Sequence, residues 1–257
     1  MSRISPWFVL LIAALSPKLS LADFLLINNH SFEAATVAPG NFSTTSAPSG
    51  WSAYGNIDFN ARTIGVLNPN STTLYGSGPP DGNNVGVVFL LDNSGDQSAF
   101  ANSEAGMQQT LTSTLQNNST YTLTVQVGNI SNDSSFPHNS FQFFGFPGYR
   151  VDLMAGGTIL ASDSSLVSGS PSEGNFQLST VSFTAGNAHA LAGQSLGIRL
   201  VNLNSSTGIE VNFDNVQLQV TAVPEPSSLL LGTSAIGMLA LWRRRTKNRS
   251  VRPDITA

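Results

Sequence analysis

The chain has 257 residues and a formal charge of −4, but the charge is unevenly spread. Between Asp23 and Pro226 stand 3 arginines, no lysine and 14 acidic residues, a balance that repels phosphate backbones and anionic headgroups and excludes nucleic-acid binding. Cysteine is absent, which removes disulfides, thiolate metal sites and a cysteine nucleophile, so a secreted fold of this size needs an apolar core of its own.

At the N-terminus, Arg3 supplies a positive charge, Trp7 to Leu15 is apolar, and Ser20-Leu21-Ala22 puts small residues at the two cleavage-determining positions. This is the pattern of a signal peptide over 1–22, with a mature start at Asp23.

From 23 to 222 the sequence reads as one all-β domain. Thr120 to Val127 and Val211 to Val220 alternate apolar and polar residues with period two. Shorter strands are predicted at Phe24 to Ile27, Val85 to Leu91, Met107 to Leu111, Tyr149 to Met154, Phe176 to Phe183 and Leu196 to Leu203. Asn, Ser, Gly and Pro clusters separate them, and no helical stripe appears. Many short strands with turn-rich connections predict a two-sheet β-sandwich of jelly-roll topology.

Catalytic signals are sparse. Gly193-Gln194-Ser195-Leu196-Gly197 has the spacing of a nucleophile elbow, but that motif needs a strand before its serine and a helix after it. Here a strand follows, so a turn entering a strand is the better reading. His30, His138 and His189 lie in turn-like sequence at spacings that build neither a triad nor a zinc site. The aromatic run Phe136 to Tyr149 and the lone mature-domain tryptophan, Trp51, admit two readings: core filling, or a platform on which sugar rings stack. Trp51 and Tyr149 are the ligand-binding candidates under the second.

The C-terminus carries the clearest signal. Pro224-Glu225-Pro226 is followed by an apolar span over 227–242 and by Arg243-Arg244-Arg245, with 246–257 beyond them. The prolines keep the motif extended and the arginines stay cytoplasmic. The span has 16 residues, about 24 Å of helix, short for a hydrocarbon core of about 30 Å and suited to a transient stop in the inner membrane. The segment 223–245 resembles the PEP-CTERM sorting signal of bacterial exported proteins. That resemblance implies processing by an exosortase and delivery to the cell surface or extracellular matrix.

Within 23–222, the opening Leu26-Ile27-Asn28-Asn29-His30-Ser31-Phe32-Glu33 and the closing Phe213-Asp214-Asn215-Val216 resemble the first and last strands of galactose-binding-like, carbohydrate-binding jelly rolls. Asn29 stands where those folds have glycine. The resemblance implies neighbouring first and last strands, which would bring Glu33 and Asp214 side by side as ligands of a structural Ca2+ ion. Two solvated strand-end acids are the alternative. Taken together, these features describe an exported, non-catalytic surface or matrix protein that contacts extracellular polysaccharide. A purely structural matrix protein and a secreted glycan-active enzyme are the other two readings.

Overall fold

The structure, a computed structural model, describes residues 22–70, 74–91, 103–132, 143–205 and 208–223. The signal segment, Pro224-Glu225-Pro226, the apolar span and Arg243-Arg244-Arg245 lie outside the described residues, as does His138. By its contacts the chain divides into two units, and the larger, Leu21–Ala222, contains all of the described strands.

Alternation sets the long strands. In β7 (Ser119–Asn129) the residues Tyr121, Leu123, Val125 and Val127 are buried while the intervening threonines and Gln126 are half-exposed. This strand lies in a seven-stranded sheet with β1 (Asp23–Leu25), β2 (Phe42–Ser43), β4 (Arg62–Leu67), β5 (Val85–Leu90), β10 (Asn175–Ala185) and β12 (Glu210–Ala222). The order is β10-β7-β12-β5-β4-β2, with β1 also pairing β12. The second sheet has five strands in the order β3-β6-β11-β8-β9. They are β3 (Ser52–Gly55), β6 (Ala105–Thr114), β8 (Tyr149–Ala155), β9 (Thr158–Ser164) and β11 (Ser195–Asn202). A single helical turn, α1 (Ser165–Ser168), joins β9 to β10. The all-β two-sheet class is as the sequence implies, and β1 runs antiparallel to β12 with Asp23 opposite Val220.

Apolar side chains from the two inner faces form the main core, with Val211 and Phe213 of β12 and Leu123 of β7 facing Ile198 and Leu200 of β11. Each fully buried side chain of this size contributes roughly 1.5–3 kcal/mol. Val85 and Val87 of β5 instead join a second, smaller cluster, while Val88 and Leu90 belong to the first. Since successive strand residues point to opposite faces, the second cluster lies on the outer face of the seven-stranded sheet. Leu74, Tyr75, Ile130 and Phe143 cover it.

Four strands are not legible as such. β4 starts at an arginine and contains Gly65, yet Arg62 is 1% exposed, its Nε donating to the Asn56 carbonyl and its Nη2 to that of Ser103, both at 2.7 Å. β2, β3 and β9 are short or rich in small polar residues, and the sheets recruit them by pairing with β4, β6 and β8. Among the described residues no helix is long and apolar enough to cross a membrane.

Candidate functional site

β12 carries three polar residues at alternate positions, Glu210, Asn212 and Asp214, and all three are buried. Their intervening neighbours Val211 and Phe213 face the main core, so the polar set projects from the outer face of the sheet, beneath the second apolar cluster. A buried polar group costs free energy unless it is partnered, so three in a row demand an account.

Glu210 opens into a cavity of about 150 Å³. Its other walls are Phe42 and Thr44 at β2, Asn60, Thr63 and Leu67 at β4, Val87 and Phe89 on β5, and Ile130 and Phe143 from the covering segments. Glu210 is the single ionisable residue among them. It is 7% exposed, and burial pushes its carboxyl up to about 7, against an opposing hydrogen bond from the Asn212 side-chain amide at 2.9 Å. Near neutral pH the acid is therefore divided between its two protonation states. A carboxyl that can both give and take a proton, walled by aromatic and aliphatic groups, is suited to acid–base chemistry on an apolar molecule.

Four residues along β12, Asp214 is fully buried. A bulge between Asp214 and Gln217, with Asn215 at φ 47°, re-aims the strand there. The Asp81 amide donates to Asp214 Oδ2 at 2.8 Å and the Asn215 amide to Oδ1 at 2.7 Å. Burial pushes this carboxyl up to about 8 against those two bonds, and the nearby charges of Asp81 and Glu33 push the same way. Glu33 Oε1 accepts the amides of Asn83 at 2.8 Å and Asn84 at 2.6 Å, so both acids are held by the one loop from Asp81 to Asn84. Gly82, at φ 78°, makes that approach possible, because a Cβ there would stand 2.5 Å from Glu33 Oε1. His30 stands beside this acidic cluster, its Nδ1 3.8 Å from Asp81 Oδ2. Clustered carboxyl oxygens fit a hard divalent cation such as calcium, which would bind the ionised form of Asp214. Among the described residues no three His, Cys, Asp or Glu side chains gather into a ready metal cage, so backbone carbonyls or water would supply the remaining ligands.

The two ring residues assigned to sugar binding are placed otherwise. Trp51 is 6% exposed, stacks on Phe32 at 5.5 Å between centroids and donates its indole N–H to the Asn29 carbonyl at 3.2 Å. Tyr149 is fully buried and its hydroxyl donates to Asp163 at 2.9 Å. Both rings are core, because burying so large an apolar area outweighs display at the surface. Asn29 adopts φ 52°, the left-handed turn for which it replaces glycine. Ser195 opens β11 directly, with no following helix, and His189 packs edge-on against Phe183, so neither joins a catalytic group.

Glu210 and its cavity escape sequence motifs, but a signal exists. Val85 to Leu90 is apolar on both faces, which means both faces of the sheet are covered there. Glu210 to Phe213 pairs with Phe89 to Gly86, so its outward residues are buried with them.

The family described as HpiC1 cyclase matches residues 23–219, and the PEP-CTERM protein-sorting motif matches residues 222–245. Among solved structures, the Stig cyclase Fisc from Fischerella sp. TAU, in complex with (3Z)-3-(1-methyl-2-pyrrolidinylidene)-3H-indole, is 33% identical with a TM-score of 0.69, over 79% of this chain and 100% of that chain. A cyclase from the same organism, in complex with 4-(1H-indol-3-yl)butan-2-one, is 32% identical with a TM-score of 0.68, over 78% of this chain and 98% of that one. A carbohydrate-binding module in complex with β-1,4-galactotriose is 11% identical with a TM-score of 0.43, over 74% and 94% of the two chains. No curated protein sequence matches. The sorting match bears out an exported, exosortase-sorted protein. The expectation of a non-catalytic domain is overturned, since the match to a cyclase family spans nearly the whole sandwich. A lone strand carboxylate such as Glu210 has no motif spacing, so sequence motifs do not single it out.

Proposed function

The chain belongs to the HpiC1-like cyclase family, and we propose that its sandwich closes a ring on a small indole-bearing substrate, with Glu210 as the proton donor. The observation that carries this reading is the single ionisable side chain in an otherwise neutral, largely apolar cavity. The indole class comes from the ligands named for the two Fischerella structures. A cavity of about 150 Å³ matches the roughly 150 Å³ of engineered apolar cavities that take benzene, so one aromatic ring can be seated in it.

The chemistry balances as an isomerisation. The protonated Glu210 gives its proton to an unsaturated carbon of the substrate. The cation so formed is attacked by a second π-bond, making the new carbon–carbon bond. Loss of a neighbouring C–H proton to the Glu210 carboxylate restores the acid and leaves a product of unchanged mass. The aromatic rings of Phe89 and Phe143 would favour the positive charge, and the largely apolar walls would limit the water that otherwise captures it as an alcohol.

A calcium ion between Glu33 and Asp214 belongs to the same proposal. Its support is the shared loop that holds both acids and the oxygen-only donor set. Its role would be to fix that loop and neutralise the cluster. The final destination, cell surface or extracellular matrix, rests on the sorting motif; with Trp51 and Tyr149 in the core, contact with exopolysaccharide would rest on that location and not on these rings.

The test is calorimetric titration of the exported protein with 4-(1H-indol-3-yl)butan-2-one, followed by incubation with alkenyl-indoles and chromatography for isomers of unchanged mass. Saturable binding weakened by Phe89→Ala, with isomer formation abolished by Glu210→Gln, is expected. Isomer formation at the wild-type rate in Glu210→Gln would overturn the assignment.

A further inference from the structure

We infer that Asn212, locked by Tyr75, is a positioning residue that fixes which oxygen of Glu210 is free to give the proton. The inference rests on the reading of Glu210 as the acid and names the groups that tune it.

Asn212 is fully buried between two partners. Its Nδ2 donates to Glu210 Oε1 at 2.9 Å and reaches the Gly86 carbonyl at 3.4 Å, while its Oδ1 accepts the Tyr75 hydroxyl. A carboxamide shows a donor on one side and an acceptor on the other. With a phenol donating to its oxygen, it must turn its N–H toward Glu210. Oε1 is then occupied as an acceptor, and Oε2 carries the transferable proton. The same N–H stabilises the carboxylate left after transfer, which offsets part of the cost of an ionised group in an apolar wall. Tyr75 keeps its proton throughout, because burial and then the Glu210 charge hold its hydroxyl well above the usual phenol range.

The seat of Tyr75 is built for this contact. Its ring packs on Phe176 of β10 at 4.3 Å between centroids. Beneath it, Gly128 of β7 stands opposite Asn212 in the sheet register. A Cβ at Gly128 would lie 2.6 Å from both the Tyr75 hydroxyl and the Phe176 ring. Packing alone would be met by an apolar residue at 212 without burying an amide, a phenol and a carboxyl together.

The groups around Glu210 leave this pair as its electrostatic control. From the β4 side come neutral Asn60 and Thr63, from β5 Phe89, and from the covering segments Ile130 and Phe143. The Arg62 guanidinium turns to the Asn56 and Ser103 carbonyls. Tyr75, across Asn212, is the titratable group that couples to Glu210.

The experiment reads the carboxyl directly. Difference infrared spectroscopy of the exported protein over a pH series, with the protonated-carboxyl band assigned by its loss in Glu210→Gln, gives the Glu210 titration without any substrate. Asn212→Leu removes the donor and should raise that titration by roughly one pH unit. Tyr75→Phe keeps the ring, frees the carboxamide to turn and should move the titration in the same direction by less. Near-UV circular dichroism confirms native packing in each variant. A Glu210 titration unchanged in natively packed Tyr75→Phe and Asn212→Leu overturns the inference. Wild-type isomerisation by Glu210→Gln, with the titration shifts present, instead overturns the acid assignment and leaves the positioning geometry standing.

Discussion

Ser179 of β10 donates its hydroxyl to Asp163 of β9 at 2.6 Å, joining edge strands that belong to different sheets. Tyr149 of β8 donates to the same carboxylate at 2.9 Å, and Ser168 of α1 at 2.5 Å. Three hydroxyls thus converge on one acid that is 5% exposed, closing one side of the sandwich in a protein without disulfides. Burial and the bond to Asp163 push the Tyr149 hydroxyl up to about 12, so it remains a donor. Hydrogen bonds to charged groups contribute about 1.5–3 kcal/mol each. Asp163→Ala should therefore lower stability by at least about 3 kcal/mol, and Tyr149→Phe by roughly half that. Urea unfolding checks both, and an Asp163→Ala midpoint equal to that of wild type would count against the stitch.

Trp51 offers a second stability measurement. Its stacking on Phe32 and its bond to the Asn29 carbonyl tie the segment before β3 to the turn after β1. Trp51→Ala should cost about 3–5 kcal/mol, the range for deleting a buried large aromatic. Trp51→Phe should keep most of the packing and lose about 1 kcal/mol with the indole bond. A display ring would show the opposite pattern, with an unchanged melting temperature in both variants.

Legibility tracked the kind of pattern each element carries. β7 and β12 alternate over many residues, and their positions could be read within a residue or two. The pairing of β1 with β12 came from resemblance in the opening and closing motifs. β4 could not be read, because its buried Arg62 finds carbonyl partners that only the folded loops provide. The acids separate in the same way. Glu33 and Asp214 stood out at the ends of recognisable motifs, whereas Glu210 differs from a solvated strand acid only through what covers the sheet. That cover comes from Tyr75, Ile130 and Phe143, distant in sequence, so the carboxyl's environment is a tertiary property.

Calcium should stabilise the native state by mass action if Glu33 and Asp214 hold it. Thermal melts of the exported protein are expected to shift up in millimolar calcium and down with a chelator. Asp214→Asn should abolish the difference while keeping hydrogen-bond acceptance from the Asp81 amide. Identical melts with calcium and with chelator would remove the ion from the account.

The sorting motif over residues 222–245 predicts a mass. Protein recovered from exporting cells should lack the apolar span and Arg243-Arg244-Arg245, because exosortase processing removes the tail. An intact mass that still includes those arginines would identify a retained anchor. Neutral replacements of the three arginines should weaken retention at the inner membrane before cleavage.

The pH dependence of stability isolates Glu210. Its ordinary value is 4.5 and the folded protein raises it to about 7, so between those limits the native state binds more protons than the unfolded chain. Stability linked to this group is then fully present below about pH 4.5, falls as pH rises toward 7, and is flat beyond. Glutamine is a neutral stand-in for the protonated acid and its side-chain oxygen can still accept from Asn212. Glu210→Gln should match wild type near pH 4 and be the more stable protein near pH 8, by on the order of 1–3 kcal/mol. If Glu210 is the proton donor, as proposed, cyclisation should decline in wild type through the same upper limit. Parallel wild-type and Glu210→Gln stability curves across this range, measured by urea unfolding at each pH, would mean that the carboxyl is ionised throughout and is no proton donor.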